Sequence, residues 1–217
     1  MRLFITTVLF VILCLGFLLI SCGKSVEPTP VTNNMVPYHG DINVNGVSYE
    51  IADAVMFTNY FIVGTDAFGS HVDSSVAASE VNGNGVRLEV SDLQYMIRYI
   101  QGEAYSIDRL TPITDSCLVY LTGDRGTYVC QHDIGAMLLT CRVVGTAGTP
   151  LVSADMDIHS SMEGDTLRVL VYNIGNEYLE SGTHEIINLN ISGSVELIGA
   201  EVSSYDGVTI PVKLRPY

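Results

Sequence analysis

The stretch Asp41-Ile42-Asn43-Val44-Asn45-Gly46-Val47-Ser48-Tyr49-Glu50-Ile51-Ala52-Asp53 is written a second time as Glu80-Val81-Asn82-Gly83-Asn84-Gly85-Val86-Arg87-Leu88-Glu89-Val90-Ser91-Asp92, at an offset of 39 residues. Both Asn positions, the Gly, the following Val, the Glu and the final Asp coincide between the copies. Each copy runs into an apolar segment, Ala54 to Ile62 in the first and Leu93 to Ile100 in the second. A polar loop followed by an apolar run, repeated at a fixed period, predicts loop then helix, twice. In the second helix Leu93, Met96, Ile97 and Ile100 fall at i, i+3, i+4 and i+7, the stripe of a helix with one buried face; shifted onto the first copy, the stripe becomes Ala54, Phe57, Thr58 and Phe61. The two stripes are expected to pack on each other. Between the helices, Gly64 to Ser79 reads as a polar connector with room for a short helix.

The loops have the chemistry of a calcium cage. A hard cation needs oxygen ligands at alternate positions of a short loop, a Gly at the sharp turn, and an acid to close the ring. Asp41, Asn43 and Asn45 hold the first, third and fifth places, Gly46 the sixth, Val47 offers its carbonyl at the seventh, and Asp53 closes. Glu80, Asn82, Asn84, Gly85, Val86 and Asp92 repeat the set. Capping of the two helices by Asp53 and Asp92 accounts for part of the same pattern without metal. Two such loops, each leading into a helix and lacking the entering helix of an EF-hand, resemble a dockerin module over residues 40 to 103. The resemblance implies calcium as the cofactor, these residues without the two glycines as its ligands, and a cohesin-type protein domain as the partner. Both loops depart from the family pattern: each is one residue longer, carries Asn at the fifth place, and the second opens with Glu.

Beyond Pro112 the texture changes to short apolar or alternating runs broken by turn residues. Strands are expected over 117–121, 136–144, 151–158, 166–172, 184–191, 195–203 and 209–214, an arrangement that predicts a β-sandwich. Residues 181 to 212 faintly resemble the end of a cohesin sandwich. The predicted fold class is therefore α+β, with a dockerin-like calcium-loop helix pair at 39–108 followed by an all-β sandwich at 111–217. The partner of the helix pair is then either a cohesin-like domain in trans or its own sandwich.

The first residues read as a leader. Arg2 precedes an almost wholly apolar run from Leu3 to Ile20, long enough to span a bilayer. A small residue directly before Cys22 and a polar, Pro-containing stretch after it favour a signal instead. Leu19-Ile20-Ser21-Cys22-Gly23 resembles the lipobox of bacterial lipoproteins, which implies removal of residues 1–21, acylation of Cys22, a tether to residue 38, and, with Gly23 after the Cys, the outer membrane. The remaining Cys117, Cys130 and Cys141 then meet an oxidising compartment, where one disulfide and one buried thiol are expected, with the pair open.

With 24 Asp and Glu against 10 Lys and Arg, a net charge of −14 argues against a nucleic-acid partner and suits cations or basic proteins. An enzyme finds no carrier in the sequence. There is no Gly-x-Ser-x-Gly elbow; Cys130-Gln131-His132 matches no zinc spacing; Asp155-Met156-Asp157 reads as solvated strand acids; and His39, His71, His159 and His184 are scattered. The expected function is thus non-catalytic docking or structural display at the cell envelope, an association with polysaccharide breakdown coming only with the dockerin resemblance. The rival is a carbohydrate-binding accessory in which Tyr172, Tyr178 and Tyr205 would form a sugar platform, a reading that the absence of Trp weakens.

Overall fold

The computed structural model describes residues 39–104, 107–152 and 155–215; the leader, Cys22 and the tether lie outside them. The first helix, α1 (Ile51–Val63), is followed by a 3-10 segment (Gly64–His71) and a short α2 (Val72–Ala78), and then by α3 (Val90–Ile100). Both long helices begin three residues before the apolar runs that announce them, because Glu50 and Glu89 are the N-caps. Asp53 and Asp92, at the third helical position, accept the N-cap backbone N–H at 3.0 and 3.1 Å. These bonds satisfy N–H groups that a helix start leaves without partners. The predicted stripe of α1 is buried at Ala54, Phe57, Thr58 and Phe61.

The strands are β1 (Cys117–Thr122), β2 (Arg125–Cys130), β3 (Ile134–Ala147), β4 (Leu151–Val152), β5 (Asp157–Glu163), β6 (Thr166–Tyr172), β7 (Gly182–Asn188), β8 (Ile191–Ser204), β9 (Thr209–Ile210) and β10 (Val212–Leu214). They form two sheets, ordered β10-β1-β2-β7-β4 and β5-β6-β3-β8-β9. All pairings are antiparallel except β1 with β10, which run parallel. The strand expected over 151–158 divides between β4 in one sheet and β5 in the other.

One core lies between the sheets and includes Val119, Tyr128, Leu139, Val169 and Ile187. A second lies on the outer face of the β5-β6-β3-β8-β9 sheet, where Ala136, Leu138, Leu170 and Tyr172 join Phe57, Phe61, Leu93 and Met96 of the helices. The described residues are therefore stacked three layers deep, helices on sheet on sheet. The central sheet is apolar on both faces, which is why Ala136-Met137-Leu138-Leu139 and Val169-Leu170-Val171-Tyr172 are unbroken apolar runs rather than alternating ones. Sandwiched in this way, α3 is buried continuously from Val90 to Arg98.

Candidate functional site

The two loops repeat in backbone conformation as well as in sequence. Val44, Gly46 and Tyr49 hold φ of 57°, 92° and 58°, and at the same offset Gly83, Gly85 and Leu88 hold 76°, 82° and 63°. Left-handed φ at a β-branched Val, a Tyr and a Leu is costly, on the order of 1–3 kcal/mol each, and persists where surrounding bonds fix the chain.

In the first loop those bonds come from the candidate ligands. Asp41, almost wholly buried, accepts the N–H of Asn45 and of Gly46, each at 3.0 Å, on its two oxygens. Asn43 and Asn45 accept, through Oδ1, the N–H groups of Asn45 and Val47 at 3.0 and 2.8 Å. Both amides also turn their NH₂ toward Glu50 Oε1, Asn43 at 2.8 Å and Asn45 more closely. Asp53, fully buried, accepts the Asn43 N–H at 3.0 Å besides that of Glu50, and burial raises its carboxyl above the ordinary range against the pull of those two bonds. The acid that faces the amides of this loop is thus Glu50, a residue absent from the ligand set read in the sequence. Its place just before the helix marks it as an N-cap, and only the folded loop shows that it also looks inward.

The second loop spends its amide NH₂ groups partly outside itself. Asn82 Nδ2 donates to Ser91 Oγ at 3.0 Å and to the Gly207 carbonyl at 3.2 Å. Asn84 Nδ2 donates to Glu89 Oε2 at 2.7 Å and to Thr209 Oγ1 at 3.2 Å. Thr209 in turn donates to Glu89 at 3.0 Å and lies 2.8 Å from Ser91 Oγ. Glu80 accepts the Gly85 N–H at 3.1 Å, and Asp92 accepts from Val81 and Asn82 at 3.1 and 3.4 Å. Burial pushes the Asp92 carboxyl up to about 7, with its backbone bonds opposing.

Gly207 lies in the turn between β8 and β9 and Thr209 opens β9, so the second loop is bonded to the sandwich. The seam continues along α3. Gln94 donates to the Tyr205 carbonyl at 3.0 Å, Arg98 lies 3.9 Å over the Tyr205 ring and bonds its hydroxyl and Glu103, and a Cβ on Gly207 would meet the Tyr95 Cβ at 2.6 Å.

The donor set of the first loop fits a hard cation: Asp41, Asn43, Asn45, the Val47 carbonyl and Glu50 are all oxygen donors on one strained turn. The second loop offers the same oxygens, Asn82 and Asn84 Oδ1 again accepting the N–H groups of Asn84 and Val86 at 3.1 and 2.7 Å, and differs in that its amide NH₂ groups also bond the sandwich. Among the described residues no three His, Cys, Asp or Glu side chains gather as a metal-holding group, so a cage here draws on amide and backbone oxygens.

The remaining sequence candidates do not converge. Tyr172 is buried under the helices, while Tyr178 is exposed and packs against Tyr205 with ring centroids 5.0 Å apart and planes at 52°. The three rings therefore share no open platform. Cys117, Cys130 and Cys141 are buried as free thiols. Asp157 accepts the Ile174 N–H at 3.4 Å, while Asp155 offers its backbone carbonyl to Asn173.

No protein-family model matches the chain, and no curated protein matches it. Among solved structures it is similar to a non-cellulosomal cohesin from the archaeon Archaeoglobus fulgidus, at 12% identity over 46% of this chain and 84% of that one, with a TM-score of 0.30. It is also similar to a cohesin module of a family 33 glycoside hydrolase from Clostridium perfringens, at 13% identity over 48% and 100% of the two chains, with a TM-score of 0.31. A third likeness is to a chain of a type I cohesin–dockerin complex from Clostridium thermocellum, at 14% identity over 49% and 94%, with a TM-score of 0.32. Identity and score are low throughout, and the sandwich is defined by its own strand pairing.

Proposed function

We propose that this chain is a calcium-binding, non-catalytic docking or display protein of the bacterial envelope, lipid-anchored through Cys22, whose dockerin-like helix pair is seated on its own cohesin-like sandwich. The observation that carries this reading is the seam. Leu93, Met96 and Phe57 share a core with Leu138 and Leu170, and Asn82, Asn84 and Gln94 bond to the turn between β8 and β9. The buried stripes of the helix pair are thus covered in cis by the sandwich.

The loops divide the work. The first would hold calcium through Asp41, Asn43, Asn45, Val47 and Glu50, with Asp53 fixing the loop to the helix start. Calcium there supplies charge compensation to Asp41 and Glu50 and orders the turn. The second, with Glu80, Asn82, Asn84, Val86 and Asp92, serves chiefly to hold the helix pair on the sandwich.

Thermal unfolding of the full chain in detergent, with calcium or with chelator, tests the assignment. Calcium at a hundredfold excess over its Kd is expected to raise the midpoint by roughly 5–10 °C. Asp41→Ala should abolish that rise and Glu80→Ala should keep it. An identical midpoint with calcium and with chelator overturns the metal assignment.

A further inference from the structure

Cys117 opens β1 and Cys130 closes β2, at the end of the hairpin away from its turn. Leu118 stands opposite Val129 in the antiparallel register, so Cys117 stands opposite Cys130. The Cys117 N–H donates to the Pro211 carbonyl at 2.8 Å, ahead of β10. Within a strand a residue's N–H and C=O point to the same side, so the polar groups of Cys117 face away from β2. The cysteines therefore form the non-hydrogen-bonded kind of antiparallel pair, the closer kind, with Cα atoms about 4.5 Å apart. That separation lies inside the range of about 4.4–6.8 Å that a disulfide spans. Both side chains enter the core between the sheets, at 0% and 4% exposure.

We infer that Cys117 and Cys130 form a cross-strand disulfide that staples the open end of the β1–β2 hairpin, and that Cys141 stays a free thiol. In the fold each thiol shifts the other: the neighbouring Cys130, with burial, holds the Cys117 proton on, and Cys117 lowers Cys130 below the usual thiol range. Cys141 sits on β3 in the other sheet, between Leu167 and Leu197 across the ladder, and burial alone pushes its thiol up to about 12.

The chemistry needs a disulfide oxidant, either oxidised glutathione or a protein dithiol–disulfide oxidoreductase. The Cys130 thiolate attacks one sulfur of the oxidant and expels a thiolate. Cys117 then gives up its proton to that leaving group and attacks Cys130 Sγ, expelling the second thiolate, which takes the proton first lost by Cys130. Two cysteine thiols are oxidised and one oxidant disulfide is reduced to two thiols. Since both sulfurs are buried in the native sandwich, the bond forms while the chain folds. It rests on the sandwich and on the envelope location proposed above, whose oxidising compartment supplies the oxidant, and stands whether or not the loops bind calcium.

The test is refolding of the full chain in detergent from reduced guanidinium solution into a glutathione redox buffer, followed by alkylation of free thiols and peptide mapping. The expected map has one Cys117–Cys130 link, lighter by two hydrogens, and an alkylated Cys141. Adding reductant should lower the thermal midpoint by roughly 5–10 °C in the parent and in Cys141→Ala, and leave that of Cys117→Ser unmoved. Three alkylated cysteines, or a link that includes Cys141, overturn the inference; because the parent chain is mapped, a variant that fails to fold does not decide it.

Discussion

Asn43 and Asn82 occupy the same place in the repeat and do different things. Asn43, partly exposed, turns its NH₂ to Glu50 within its own loop. Asn82 is buried and reaches the carbonyl of Gly207, 125 residues onward. Removing a buried donor leaves its partner unpaired, at a cost of about 1–3 kcal/mol, whereas a solvated pair is worth less. Asn82→Ala is accordingly expected to lower stability by about 2 kcal/mol in chelator, and Asn43→Ala by under about 1 kcal/mol, as read from urea midpoints. Equal losses would mean that the second loop is no more engaged than the first. The sequence shows both residues as equivalent because the repeat records loop geometry. The partner of Asn82 is a backbone carbonyl, which no side chain announces.

Among elements, the helix starts carry a pH dependence. Asp92 caps α3 while buried, and its carboxyl has an ordinary value of 3.8 but holds its proton to about 7 in the fold. Between those values the folded chain binds more protons than the unfolded one, so stability falls as pH rises from about 4 to about 7 and levels off beyond. Denaturant midpoints across that range, in chelator, should show this slope, and Asp92→Asn should flatten it; a slope unchanged by the substitution would assign it to other groups. The two helices and their buried stripes were legible from spacing, as were β1 and β6. The strand Arg125–Cys130 was not, because its Arg-Gly start prolongs the Gly123-Asp124 turn signal, although Thr127 to Cys130 then alternate partly buried and buried. β3 and β8 run 14 residues each, longer than the apolar patterns that announced them, since their far halves pair with each other beyond the core.

At the scale of the molecule, the layer order makes α3 the most enclosed helix, and hydrogen exchange offers a direct check. Amides of α3 should exchange on the same slow, global timescale as those of β3 and β6. Faster exchange confined to residues 90–100 would detach the helix pair from the sandwich and sink the cis-seated reading. The sequence did carry a sign of this layering, in the four consecutive apolar residues of Ala136–Leu139 and Val169–Tyr172, since a sheet wetted on one face would alternate. What it lacked was the identity of the covering layer, because apolar surface is non-directional and names no partner. The parallel pairing of β1 with β10 has a temporal consequence. Val212–Leu214 complete the sheet that Cys117–Val119 begin, so on a ribosome the first strand waits through almost the whole synthesis of the sandwich for its outer neighbour. Until then β1 is an open edge, able to recruit a strand from another chain. Val212–Leu214 then replace that edge with one only three residues long, preceded by Pro211, which offers far less backbone for such pairing.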